Sequence, residues 1–194
     1  MGTLDYYNDN ASRFVEGTID VSMTCIQDKF LSFMSAQSVI LDLGCGSGRD
    51  SLYFKNRGFR VEAIDGSEEL VKIARKTTGL PVRKLLFSEL DYCNNFDGIW
   101  ACASLLHVPK AEIVPILDKC FLALKKGGIF YLSFKKGDFE GIRNGRYFSD
   151  YTQLEVDKLL NGFNNNEILA SFITKDARPD RTEEWVNVIV RKLV

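Results

Sequence analysis

A chain of 194 residues, 45% hydrophobic and 26% charged, can bury a sizeable core and needs only one domain, residues 1–194. Its formal net charge of -1 and sequence pI near 5.9 supply no global field for a polyanion, which disfavours nucleic acid as a partner. Five cysteines without metal-ligand spacing, no secretory signal and no apolar run of about 18 residues predict a cytoplasmic protein with free thiols, no metal site and no membrane span.

Residues 1–17 carry Tyr6, Tyr7 and Phe14 among polar residues and predict a short helix. Met23, Ile26, Phe30 and Phe33 then recur at helical spacing, so one helix face covers apolar surface. Together these form a helical arm over residues 1–35, ahead of a core over 36–194. Val39, Ile40, Leu41 and Leu43 are aliphatic over a span too short for a helix and predict a buried strand, followed by a loop with Gly44, Gly46 and Gly48. Glycine suits a loop whose backbone must approach a ligand and take positive φ. A helix from Arg49 to about Arg57 closes at Gly58, and Phe59 to Asp65 is a second strand ending in a carboxylate. Asp65 lies seventeen residues after Gly48, about where a βαβ unit holds its ribose-binding acid. The spacing is G-x-G-x-G, short of the dinucleotide pattern G-x-G-x-x-G, and no Gly-Lys-Ser/Thr follows, which excludes a Walker loop.

Ser67 caps a helix with Glu68 and Glu69 in its first turn, and Gly79-Leu80-Pro81 ends it near Thr78. Val82 to Phe87 predicts a third strand and Phe96 to about Ala101 a fourth. Pro109 and Pro115 precede a helix expected to run to Lys125 and Lys126, with Gly127-Gly128 stopping it and a fifth strand over Ile129 to Phe134. Residues 135–149 read as a basic, glycine-rich loop. Thr152-Gln153-Leu154-Glu155 is a capping box opening the last helix, and alternating runs at Glu167 to Thr174 and Glu184 to Leu193 predict two closing strands.

The run Asp42-Leu43-Gly44-Cys45-Gly46-Ser47-Gly48-Arg49-Asp50, with Ala63-Ile64-Asp65-Gly66-Ser67, resembles motif I and the strand-2 acid of class I S-adenosylmethionine-dependent methyltransferases. Phe96 to Val108 is a second match to the family. The resemblance implies an α/β, Rossmann-like seven-stranded sheet, mostly parallel with one antiparallel strand, with helices on both faces and the arm over the cofactor site. It implies S-adenosyl-L-methionine as cofactor and S-adenosyl-L-homocysteine as product. Cofactor contacts would fall on Asp42, Gly44, Cys45, Gly46, Gly48, Asp65, Gly66 and Ser67, with Glu89 and Leu90 at the adenine and Ala101 and Leu105 along the fourth-strand loop. Tyr7 either faces the methionine part or packs in the core. As a strand-tip acid, Asp65 is expected to carry little structural weight without ligand.

In DNA amino-methyltransferases the fourth strand ends in Asn or Asp followed by Pro-Pro and an aromatic; here it is Ala101-Cys102-Ala103-Ser104, which argues against exocyclic base amines. Cys102 reads as a small buried side chain in place of a nucleophile. Methyl transfer to an O, N or S atom of a small-molecule acceptor needs orientation more than a strong base. His107, the one histidine, is the candidate base where one is used, or else closes the loop structurally. Acceptor selection is expected from the arm, including Tyr6, and from Arg143, Arg146, Arg178 and Arg181, whose guanidinium groups suit carboxylate or phosphate. Trp185 walls that pocket or fills the sheet face. A monomer or weak dimer is expected. The competing classes are a non-catalytic S-adenosylmethionine-binding or interaction protein and an NAD-dependent oxidoreductase.

Overall fold

The computed structural model describes residues 2–194. Three short helices, α1 (Thr3–Asp9), α2 (Ala11–Glu16) and α3 (Thr24–Leu31), precede the first strand, β1 (Val39–Leu43). The chain then alternates through α4 (Arg49–Asn56), β2 (Arg60–Asp65), α5 (Glu68–Thr78), β3 (Arg83–Lys84), β4 (Phe96–Ala101), α6 (Ile113–Ala123) and β5 (Leu124–Lys135). A hairpin, β6 (Glu140–Arg143) and β7 (Arg146–Ser149), is inserted before α7 (Gln153–Asn161), β8 (Asn166–Lys175) and β9 (Glu184–Lys192).

Seven strands form one sheet in the order β3-β2-β1-β4-β5-β9-β8. β9 runs antiparallel to both of its neighbours and the remaining pairs are parallel. Side-chain alternation along the strands divides the core. Leu41, Leu43, Ile99, Phe130, Leu132 and Val188 meet α6 and α7 on one face. Ile40, Trp100, Tyr131 and Ile189 meet Phe30 of α3 and Phe54 of α4 on the other. Trp100 stacks on Tyr131 with ring centroids 4.0 Å apart.

The local punctuation is largely where the residues put it. Gly58 (φ 86°) and Gly79 (φ 66°) take the left-handed conformation after α4 and α5, Ser67 Oγ accepts from Leu70 N, and the Thr152–Glu155 capping box is formed. Three expectations are corrected. The third strand shrinks to two residues, Arg83 and Lys84, because it pairs only at an exposed edge. α6 stops at Ala123, and Lys125 to Gly128 bulge out inside β5, where the register jumps from Phe96↔Leu124 to Gly98↔Ile129. Lys125 thus leaves the helix and its Nζ meets Asp97 Oδ1 at 2.9 Å. The basic loop is the β6–β7 hairpin, turned by Asn144 (φ 52°) and Gly145 (φ 78°), the two positive φ values that a two-residue I′ turn demands.

Candidate active site

The carboxyl ends of the parallel strands open into a cleft of about 990 Å³, the position at which open α/β sheets bind ligands. The loop after β1 lines it because its glycines admit no side chain. A Cβ on Gly44 (φ 81°) would lie 2.5 Å from Ser104 Cβ, and one on Gly48 (φ 81°) 2.7 Å from Thr78 Cγ2. Gly44, Cys45, Gly46, Asp65 and Gly66 all line the cleft. Asp65 is 8% exposed; its Oδ2 accepts from Gly46 N at 2.9 Å and its Oδ1 from Ser67 N at 2.8 Å. Burial raises the carboxyl above the usual range while these two backbone N–H groups lower it. A carboxylate has about four acceptor positions, so the two bonds tie the glycine loop to the start of α5 and leave positions over for a ligand diol.

Several anticipated contacts lie behind the cleft wall instead of in it. Asp42 is buried below the loop, where its Oδ2 accepts from Ser51 Oγ at 2.5 Å. Burial and the nearby Asp50 charge push its carboxyl up to about 8. Gly48 packs on Thr78 and Ala74, and Ser67 is spent capping α5. Ala101 and Leu105 are wholly buried in the core. Glu89 turns back to accept from Leu86 N at 2.9 Å, and Leu90 is buried. The short turn at Phe87–Glu89 therefore offers the cleft Leu85, Leu86, Phe87 and Ser88.

The arm closes over the loop. Leu4, Tyr7 and Phe14 line the cleft, with Phe14 at 3.1 Å and Leu4 at 2.8 Å from where Cβ atoms on Gly46 and Gly66 would sit. Polar contacts hold α1 in place: Ser67 Oγ donates to Asn8 Oδ1 at 2.7 Å and Tyr147 N to Thr3 Oγ1 at 2.9 Å. Tyr7 OH lies 2.8 Å from His107 Nε2, and His107 Nδ1 lies 2.6 Å from the Tyr147 carbonyl oxygen. A carbonyl can only accept, so Nδ1 carries the hydrogen and Nε2 takes the one from Tyr7. Burial holds this imidazole down at about 4. Both nitrogens are engaged and the ring is neutral near pH 7.

Sequence reasoning passed over Arg49 and Asp50, although they directly follow the glycine loop at the start of α4, where a cleft-facing pair was legible. Asp50 is 6% exposed. It accepts from Arg49 Nε (2.7 Å), Gln27 Nε2 (2.8 Å) and Trp100 Nε1 (2.8 Å), which fixes the guanidinium at the cleft wall. Cys102 lines the cleft beside it, and burial pushes its thiol up to about 12, so no thiolate is available. Ala103, at φ 52°, is a strained residue in the same loop.

The far end of the cleft is lined by Arg143, Arg146, Arg178, Arg181 and Trp185. Arg143 forms a two-pronged pair with Asp150 (3.0 and 2.9 Å) and Arg178 with Asp176 (2.8 and 2.7 Å). Trp185 walls the cleft with its Nε1 donating to Asp176 Oδ2 at 3.1 Å. Arg181 meets only exposed Asp180, at 3.6 Å. Lys135 and Lys136 are matched by Glu183 and Glu184. Tyr6 does not line the cleft; its ring lies under Arg146, 4.7 Å from the guanidinium carbon, and against Gly145.

Residues 40–128 match the family model of a methyltransferase domain. An S-adenosyl-L-methionine-dependent Diels-Alderase of Talaromyces variabilis is 31% identical over 126 residues, 59% of this chain and 42% of that protein. The ubiquinone biosynthesis O-methyltransferase of Xanthomonas axonopodis pv. citri is 36% identical over 101 residues, 48% of this chain and 41% of its own. The chain thus spans about two fifths of the length of these curated relatives. Among solved structures, the 1,6-didemethyltoxoflavin-N1-methyltransferase of Burkholderia thailandensis, with 1,6-didemethyltoxoflavin and S-adenosylhomocysteine bound, superposes with a TM-score of 0.79 at 24% identity, covering 98% of this chain and 85% of that one. The sheet order, the glycine loop and these matches define a class I methyltransferase fold. The similar proteins include a Diels-Alderase by name as well as methyltransferases.

Proposed function

We propose that the whole chain acts as one methyltransferase domain that moves a methyl group from S-adenosyl-L-methionine to an O, N or S atom of a small-molecule acceptor. The observation that carries this is the glycine loop held against a buried strand-tip acid: Gly44 and Gly46 open space beside Asp65, whose carboxylate keeps acceptor positions for the two ribose hydroxyls. S-adenosylmethionine supplies an activated methyl on a sulfonium, so the protein has to orient and desolvate. Asp65 and the loop amides hold the ribose end, Leu85 to Ser88 flank the adenine, and Arg49, fixed by Asp50, faces the methionine carboxylate. Phe14, Leu4 and Tyr7 exclude water. His107 orients Tyr7 and is a positioning residue in this scheme. The enclosed cleft, its mostly paired charges and the net charge of -1 favour a small molecule over nucleic acid, acting in a reducing cytoplasm as a monomer or weak dimer, with all five cysteines as free thiols.

Calorimetry with S-adenosylhomocysteine and with NAD separates the cofactors: the first should bind and the second should not. Binding of NAD alone would replace this reading with an oxidoreductase. Transfer of label from methyl-labelled S-adenosylmethionine then distinguishes a methyltransferase from a protein that binds the compound without consuming it.

A further inference from the structure

Eight cationic side chains line the cleft, and six of them face a carboxylate at 2.6–3.6 Å. Among the described residues two of the eight, Lys175 and Arg146, have no carboxylate within 4.0 Å; Lys175 is exposed to solvent, whereas Arg146 is partly buried. Its Nη1 reaches Tyr7 OH at 3.3 Å, a bond in which the guanidinium donates, and its Nε is buried with no acceptor. The guanidinium carbon lies 4.7 Å from the Tyr6 ring centroid and 5.1 Å from that of Phe148, so its faces are covered by aromatics while its edge stays unsatisfied. A buried N–H without an acceptor is costly, and a cation among rings is poorly hydrated. The other orphaned polar atom of the cleft, Ser104 Oγ, can also donate. The cleft therefore lacks a negative charge at this point.

It also lacks a base. His107 has both nitrogens engaged, and every carboxylate lining the cleft except exposed Glu112 already accepts from a protein donor.

We infer that the acceptor enters as an anion, its charged oxygen, nitrogen or sulfur held against Arg146, and that this charged atom is the one methylated. A lone pair on that atom forms the bond to the methyl carbon as the carbon–sulfur bond breaks and its electron pair stays on sulfur. The acceptor's negative charge and the sulfonium's positive charge cancel, and no proton moves. Such a step needs orientation and a counter-charge, which Arg146 provides, and no general base. The inference rests on the methyl-transfer reading.

The test uses the full chain and a small-molecule extract of the source cells passed over an anion exchanger at pH 8. Each fraction is incubated with methyl-labelled S-adenosylmethionine. Label should appear from salt-eluted fractions, and the product should elute earlier than its acceptor because one negative charge has gone. Label from the unretained fraction, or a product eluting with its acceptor, overturns this inference and leaves methyl transfer standing; label from no fraction overturns both. With the acceptor purified, Arg146→Met should raise its KM and weaken its binding, measured by calorimetry with S-adenosylhomocysteine present, by roughly tenfold to a hundredfold. Affinity for S-adenosylhomocysteine itself should not change, which also reports that the variant folds. Arg146→Lys should recover part of the loss, since a point charge remains without the planar fork. Equal acceptor affinity in wild type and Arg146→Met overturns the assignment.

Discussion

Asp65 shows how one carboxylate joins stability to binding. The strand-tip position implies a ribose acid with little weight of its own, but both oxygens accept backbone N–H groups, from Gly46 and Ser67. Asp65→Ala should therefore weaken S-adenosylhomocysteine by about tenfold to a hundredfold and, unlike a mere surface acid, also lower ligand-free stability by about 1–3 kcal/mol, because two buried donors lose their acceptor. Calorimetry and urea unfolding read the two effects separately; unchanged affinity would remove the ribose assignment. His107 gives a pH signature. Its folded value of about 4 is below the ordinary value of about 6.5, so the group is silent above pH 6.5. As pH falls from there toward 4 the unfolded chain takes up a proton that the folded chain refuses, and stability is lost by up to about 1.4 kcal/mol per pH unit. Asp42, pushed up to about 8, acts in the opposite sense, so the measurement is a difference. The unfolding free energy of wild type minus that of His107→Gln should be flat above pH 6.5 and fall below it. A flat difference down to pH 4 would mean an imidazole that titrates normally.

At the level of elements, α1 is held by polar latches and has no buried residue, yet Leu4 and Tyr7 line the cleft. Removing residues 1–9 should leave the ligand-free melting temperature almost unchanged while weakening S-adenosylhomocysteine by about tenfold or more, from the lost apolar cover; a large fall in ligand-free stability would instead make α1 part of the core. These elements also show where sequence reading succeeds and stops. β1, the glycine loop and Asp65 were legible because only a few residue types tolerate a buried short strand, a positive φ and a close approach. The hairpin was not recognised, although Asn144-Gly145 signals it, because its four-residue strands are too short to display alternation. The end of α6 was misjudged because two lysines and two glycines describe a helix terminus as well as they describe a bulge. That Arg146 lacks a carboxylate while Arg143 has one was beyond sequence, since the two differ only in what the folded hairpin brings near: Asp150 reaches Arg143 and leaves Arg146 unmatched.

For the molecule as a whole, a ligand that binds only the folded state stabilises it by mass action, by about 2.7 kcal/mol at a hundred times its Kd. For a domain of this length that corresponds to a rise in Tm of roughly 5–11 °C. S-adenosylhomocysteine should produce a rise of this order in wild type and in Arg146→Met alike; no rise at millimolar ligand would remove the cofactor site from the cleft. The hairpin and α1 stand outside the main sheet and lie at distant points of the chain. Yet Tyr7 meets Arg146 across 139 positions and Thr3 meets Tyr147 across 144, while the family model matches residues 40–128 and reaches neither partner of these contacts. Descent should therefore leave two separate records in this chain. Residues 6, 7, 145 and 146 should co-vary as a group when acceptors diverge, whereas the glycine loop and Asp65 drift little, so lineages that align well over the matched stretch can still differ in what they methylate.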